Sequence, residues 1–476
     1  MRKLRSTTIF LFLIITLLSG LATASNEVWK TDVVIVGGGA AGLSAAVEAS
    51  SAGVEVMVFE KLPMLGGSTI LSGGGMSGAG HRFQLAAGLT DDTPELHLQD
   101  MLREGTFNND LQLAKRFTEN AGAAIDWLAD LGCQFEFQPN YQEHTIQRFV
   151  RSHPFPGTGI AIIQTLEAAA KEAGANIYTS SLVTELVTNT VGEVVGVQVL
   201  QKDGSTLTVF AERVILATGG FVGNEEMLFK FAPNIMAMNP KVAGDTRLKG
   251  EGILLAQKVG ASLQNMEYIK VYPTGATTDS GQDVYTRFYV PTLLGGILVN
   301  REGERFVDEN IAFARVYDAL VQQTDGRMFV IFDSAIAKDV VKADTPFILG
   351  WSNEQVEKDL ENNTLIRRAN TTAELAEIFN LDVDNFVATC ADSNINSGPF
   401  YSVEIGPNMM FTLGGVRISP EAEALDINGQ VIPGLYAAGE IAGAGHGSNY
   451  MSGNYVAYAV VFGRIAGQNA ARDILQ

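Results

Sequence analysis

The ordered pattern begins with a short β-branched run, Thr31-Asp-Val-Val-Ile-Val36, apolar in the manner of a parallel strand buried on both faces. Gly37-Gly-Gly-Ala-Ala-Gly42 breaks the run, and Leu43 to Ala52 then carries the residues of a packed helix. Gly53 stops that helix, and Val54-Glu-Val-Met-Val-Phe59 reads as a second strand ending at Glu60. Together these predict one βαβ unit of about 30 residues. Val183 to Phe210 alternates as a β-meander does, with Lys202-Asp-Gly-Ser205 as its turn. From about 271 to 405 glycine clusters thin out and aromatic residues accumulate, which reads as an inserted domain. The expected fold class is α/β: a Rossmann-like nucleotide-binding domain with a β-meander, interrupted by a second, α+β domain. A chain of 476 residues is long enough for two or three such units.

The first 24 residues stand apart from this pattern. Arg2, Lys3 and Arg5 precede an apolar stretch from Ile9 to Leu18, and Ala22-Thr-Ala24 follows as a small-residue cleavage signature. The apolar stretch is short for a span, which needs roughly 20 residues. It reads as a signal peptide, so the chain is expected to be exported, periplasmic or extracellular, with no membrane span after cleavage. Removing it leaves 30 basic against 53 acidic residues, about −23. Such a surface argues against nucleic acid, whose phosphates need basic partners. It serves solubility, and it suits a basic protein partner equally well. Cys133 and Cys390 are the only cysteines, with no CxxC, no haem attachment signal and no cluster set. They read as two isolated core thiols, with a disulfide after export as the other arrangement. No metal site is expected.

Gly37-x-Gly39-x-x-Gly42 has dinucleotide-binding spacing: a tight turn, a close backbone approach to the pyrophosphate, and helix packing on the strand. The helix N-terminus then faces the anion. Glu60, 23 residues after Gly37, ends the second strand where a ribose hydroxyl needs an acceptor. Glycine supplies 50 residues, above the usual share of about 7%, and clusters at 37–42, 66–80, 219–223 and 439–453. Clusters so far apart in sequence imply one extended ligand approached by backbone from several sides. Val214-Ile-Leu-Ala-Thr-Gly-Gly220 and Gly434-Leu-Tyr-Ala-Ala-Gly-Glu440 are two further strand-to-turn segments of this kind.

These segments, with Gly296 to Val307 and Phe462-Gly-Arg-Ile-Ala-Gly467, resemble a known family. It is the FAD-dependent branch that holds soluble fumarate reductases, succinate dehydrogenase flavoproteins, urocanate reductase and the 3-ketosteroid dehydrogenases. The resemblance covers nearly all of the chain after the signal. It implies an FAD-binding domain in two parts, 25–270 and 406–476, around a capping domain at 271–405. It places FAD contacts at Ala41, Glu60, Ser68, Thr69, Gly73, Gly74, Val183, Glu251, Glu440, Tyr455 and Val456. Gly37, Gly39, Gly42, Lys61, Gly67, Thr218, Gly219 and Asn454 complete the expected cofactor set. The membrane-bound members attach FAD through a histidine, but Gly66-Gly-Ser-Thr69 has none, so non-covalent FAD is expected.

At the substrate end the resemblance breaks. The proton-donor arginine of fumarate reductases falls on Phe313, and a substrate histidine on Met410, with Phe411 next. The carboxylate-binding arginine falls on Tyr450, and the histidine before proline-threonine on Tyr272. A dicarboxylate buried there would leave charge unpaired, at a cost on the order of several kcal/mol. Tyr450-Met-Ser452-Gly453 instead resembles the segment whose tyrosine and serine act at the substrate in 3-ketosteroid Δ4-dehydrogenases. Tyr450 is therefore read as a general acid or base beside Ser452, or else as a packed aromatic. Tyr272 and Tyr289 are secondary candidates, Arg315 could replace the lost arginine by a register shift, and His446 reads as structural.

The expectation is hydride transfer between flavin and a C=C or CH–CH bond conjugated to a carbonyl, on a neutral or largely apolar small molecule. The alternatives are a reductase of a small unsaturated carboxylate and an electron-transfer flavoprotein without an organic substrate. A separate redox partner, a c-type cytochrome or a quinone-linked protein, is expected to exchange electrons with it.

Overall fold

The computed structural model describes residues 27–138, 144–153, 159–309, 311 and 313–476, without the side chains of 313 and 314. The signal-peptide segment therefore lies outside the described residues, as does the Phe313 side chain.

The expected βαβ unit is present as strand Glu27–Val36, helix Ala40–Ser51 and strand Val56–Phe59. Its two strands pair in parallel, Val34 opposite Met57. The helix begins three residues before the expected Leu43, because Gly39 is extended (φ −81°, ψ −174°) and Ala40 already belongs to the first turn. On the other side the first strand pairs in parallel with Thr206–Leu216, Val34 opposite Val214. The strands Val431–Ala437 and Asn176–Tyr178 extend this sheet on either side, both in parallel register. The hairpin Leu182–Thr188 and Val194–Leu200 joins Thr206–Leu216 antiparallel, which is the expected meander.

A second sheet of seven strands follows the order 283–285, 269–277, 400–412, 328–333, 297–299, with 241–242 and 367–369 also paired to 400–412. The buried apolar residues part into two clusters. One holds Val271 and Met409 with the first sheet, and the other runs from Ala276 to Ile405 around the second. The two strands that cross between the clusters, Ile269–Thr277 and Phe400–Thr412, pair with each other antiparallel. Tyr272, Met410 and Phe411 of these strands reach the site described below. Cys133 and Cys390 are free and buried, one in each cluster.

The C-terminal helix Asn454–Leu475 lies against the first helix with almost no gap. A Cβ on Gly463 would come 2.3 Å from Ala41 O, and one on Gly467 would come 2.4 Å from Ala45 O. Only glycine at these two positions permits that approach, which fixes the N-terminus of the first helix against the sheet.

Candidate active site

A cleft of about 480 Å³ opens at the carboxyl ends of the parallel strands. The glycines of the first motif divide its work. Gly37 has φ +109°, and its missing Cβ would sit 2.3 Å from Ala217 O, so it makes the turn. A Cβ on Gly42 would sit 1.9 Å from Gly37 O, so Gly42 serves helix packing and is not on the cleft wall. Gly39 is different: a Cβ there would meet nothing closer than Gly66 O at 3.9 Å, and the residue lines the cleft. The helix that starts after it has no side-chain cap, so its first N–H groups face the cleft unsatisfied by a cap. That is a cradle for a phosphate group.

Glu60 is buried, and its two oxygens accept from Gly38 N and Leu62 N, both at 2.8 Å. These bonds fix the carboxylate at the cleft wall with lone pairs to spare for a hydroxyl. Lys61 donates to Glu251 Oε1 at 2.6 Å and to Arg247 O at 2.7 Å, bridging two walls of the cleft. Arg247 in turn holds the buried Asp245 through two bonds, at 2.7 and 2.8 Å. Thr218 also lines the cleft, and its buried Oγ1 has no partner among the described residues. An extended ligand with phosphates and hydroxyls answers each of these groups.

Gly67, Ser68, Thr69, Gly73, Val183 and Gly219 line the same cleft, as do Ala41, Glu440, Tyr455 and Val456. Gly74 and Asn454 do not. Gly74 holds Ser152 N through its carbonyl, and the buried Asn454 side chain faces His97 Nε2 at 3.0 Å. Through these bonds both support the wall of the cleft.

The far end of the cleft is lined by Tyr272, Met410, Phe411, Tyr450 and Ser452. Lys270 pairs opposite Phe411 and Val271 opposite Met409, so Met410 is the extra residue of a bulge. Bulges re-aim side chains, and this one turns the strand end into the cleft. Phe411 stacks on Tyr455 with ring centroids 3.9 Å apart and meets Tyr450 edge-on at 5.1 Å. Ser452 is fixed through its carbonyl, which accepts from Ser77 Oγ at 2.8 Å and lies 3.2 Å from His144 Nε2. Glu440 accepts from Thr412 N and Oγ1, each at 3.1 Å, yet burial pushes its carboxyl up to about 7. Burial and the adjacent Glu440 hold the Tyr455 phenol well above its ordinary value.

Two sequence candidates are not on this wall. Tyr289 packs against the second apolar cluster. Arg315 is half exposed on its helix and lies 3.5 Å from Asp318, so the register shift that would bring it to the cleft is not seen. His446 is buried against Tyr458, centroids 4.6 Å apart, and burial pushes it down to about 3, as a packed neutral imidazole.

Sequence reasoning missed three features. Arg151 and Phe149 line the cleft from the strand Phe149–Ser152. Behind that strand, Arg148 is wholly buried, with two bonds to Asp92 at 2.8 Å and one to Asp100 at 2.7 Å. Lys270 is 5% exposed beside Tyr272 and Tyr450. The signal for Lys270 was a single cation inside the apolar run Ile269-Lys-Val271. The acids of the Arg148 network are too far away in sequence to have been paired.

Residues 32–456 match the FAD binding domain family. A fumarate reductase (cytochrome) of Shewanella frigidimarina is 31% identical over 95% of this chain and 79% of its own length. Among solved structures, the open conformation of a flavocytochrome c3 fumarate reductase superposes with a TM-score of 0.77 at 29% identity, covering 100% of this chain and 83% of its own. The 3-ketosteroid-Δ4-(5α)-dehydrogenase of Rhodococcus jostii RHA1 gives 0.76 at 26% identity, covering 95% and 99%. With its phosphate cradle, its anchored Glu60 and this match along most of its length, the chain belongs to the FAD binding domain family and is an FAD-dependent oxidoreductase acting on CH–CH groups.

Proposed function

We propose that the enzyme transfers hydride between flavin and a C=C or CH–CH bond conjugated to a carbonyl, in a neutral or largely apolar small molecule. The observation that carries this reading is the lining of the far end of the cleft by Tyr272, Met410, Phe411 and Tyr450. A dicarboxylate pressed on these four side chains would lose hydration and find no cation among them to pair with. An aromatic and thioether wall instead suits an apolar ring or chain, with a few polar atoms to fix orientation.

FAD, held non-covalently, supplies the hydride chemistry when bound. Gly39 and the first helix turn would hold its pyrophosphate, and Glu60 a ribose hydroxyl. Tyr450 handles the proton at the carbon α to the carbonyl, with Ser452 beside it. Phe411 and Tyr455 keep water from that end. The likeness to the 3-ketosteroid-Δ4-(5α)-dehydrogenase of Rhodococcus jostii RHA1 supports the substrate class. Residues 25–270 and 406–476 form the FAD-binding domain and 271–405 the cap, an assignment supported by the parting of the two apolar clusters.

The protein is exported and exchanges electrons with a separate c-type cytochrome or quinone-linked protein. The likeness to the Shewanella fumarate reductase (cytochrome) supports a cytochrome, and among the described residues no helix is long and apolar enough to cross a membrane.

The test is anaerobic. The bound flavin is reduced, and its absorbance is followed as acceptors are added. A cyclic enone and a 3-ketosteroid should reoxidise it faster than fumarate. Tyr450→Phe should slow the reaction by roughly 10²–10⁴, as loss of a general acid does, while FAD stays bound. Fully active Tyr450→Phe returns that tyrosine to packing. Indifference to every acceptor, with fast exchange to a cytochrome, identifies an electron carrier.

A further inference from the structure

Lys270 sits on the strand Ile269–Thr277 where the chain leaves the first apolar cluster, and it is 5% exposed. Lysine is almost never buried so deeply without compensation for its charge. Its Nζ donates to Asn449 Oδ1 at 2.6 Å. The same atom lies 4.5 Å from the ring centroid of Tyr272 and 5.9 Å from that of Tyr450. Both rings line the cleft, whereas Lys270 does not, so the ammonium stands behind the two tyrosines. A cation over an aromatic face is attracted by the ring quadrupole. At this range it also favours a phenolate over a phenol.

Among the described residues, three other groups near Tyr450 carry no positive charge toward it. Tyr285 is close enough to Tyr450, Tyr289 and Arg287 for their charges to act on it, and burial pushes its own phenol up. Tyr455 lies 6.0 Å away, centroid to centroid, and the Glu440 beside it brings negative charge when ionised. His446, at 6.5 Å, is held neutral by its burial.

We propose that Lys270 is a positioning residue for Tyr450, holding the tyrosine at the cleft through its ring contact and through Asn449, and biasing its hydroxyl toward giving up the proton. The proposal rests on the reading of Tyr450 as the proton donor. In the reductive direction the Tyr450 O–H bond breaks and its proton forms the new C–H bond at the α-carbon. The electron pair of that bond comes from the enolate left by hydride addition at the β-carbon. The O–H pair stays on Tyr450 Oη as a phenolate, offset by the Lys270 ammonium, until solvent returns a proton. In the oxidative direction the same phenolate takes the α-proton.

The test labels the holoenzyme with 3-fluorotyrosine and follows the Tyr450 fluorine resonance, identified by its loss in Tyr450→Phe, from neutral to alkaline pH. Lys270→Met should raise the titration midpoint by about one pH unit or more, and Lys270→Arg should restore most of it. Flavin reoxidation should slow roughly tenfold in Lys270→Met, with its pH profile moving in the same direction. Lys270→Gln keeps a hydrogen bond to Asn449 and removes only the charge, and it serves if the methionine variant loses FAD. An unmoved midpoint in a neutral variant that retains FAD overturns the proposal. A moved midpoint together with fully active Tyr450→Phe would leave Lys270 acting on Tyr450 and remove Tyr450 from the chemistry, so the two failures are distinct.

Discussion

Gly39 and Gly42 belong to one motif and do different jobs, which a pair of substitutions can separate. Gly39→Val places its side chain where the nearest protein atom to the new Cβ is 3.9 Å away, at a φ of −81° that valine adopts freely. The fold should accept it. The added atoms enter the cleft beside the first helix turn, where they displace the pyrophosphate from its N–H donors. Losing one charge-assisted hydrogen bond costs about 1.5–3 kcal/mol, or roughly 10- to 150-fold in affinity. Gly42→Ala does the reverse, because its Cβ would overlap Gly37 O at 1.9 Å and push the helix off the strand. Overpacking of this kind costs about 1–3 kcal/mol. The assay measures FAD affinity by titrating apoprotein, and apoprotein stability by urea unfolding. Gly39→Val should lose affinity at unchanged stability, and Gly42→Ala should lose stability first. A Gly39→Val variant that binds FAD as tightly as the parent would refute the placement of the pyrophosphate.

Other consequences are equally open to measurement. Arg148→Met leaves Asp92 buried without its cation and leaves Asp100 only its half-exposed cationic partner Arg103, and should cost about 3–5 kcal/mol in urea unfolding. A loss below about 1 kcal/mol would mean that the network is already well hydrated. Burial pushes His144 down to about 4 and His446 to about 3. The folded state keeps these rings neutral while the unfolded chain protonates near its ordinary value of about 6.5. Their contribution is therefore complete above that value and is lost as pH falls toward 4. The thermal midpoint should drop over this window, less steeply in His446→Leu, and a flat profile would contradict the burial. Denaturation by acid or heat should release all of the FAD, whereas yellow denatured chain would show a covalent bond that Gly66-Gly-Ser-Thr69 gives no reason to expect.

The nucleotide half of the site was legible because its chemistry is local. Turn, helix N-terminus and acid fall within 24 residues, and each glycine there answers a backbone constraint. The wall from Tyr272 to Met410 was legible only through a resemblance, since nothing in the spacing of residues 272, 410 and 450 says that they meet. What the sequence hid is long-range polar pairing. Arg148 finds its two acids 56 and 48 residues earlier, and Lys270 finds Asn449 across 179 residues. The sequence could not say which side of Tyr289 is used, because an aromatic that packs on the second apolar cluster looks the same as one that meets a ligand.

The claim that the substrate end is apolar can be tested without turnover. Saturated, unreactive ligands perturb the absorbance of bound oxidised flavin, so a cyclic ketone and succinate can be titrated into the same holoenzyme. The ketone should bind at least about tenfold more tightly than succinate, the equivalent of about 1.4 kcal/mol. Succinate binding more tightly by that margin would contradict an apolar substrate end, because Tyr272, Met410 and Tyr450 would then be accommodating two carboxylate charges.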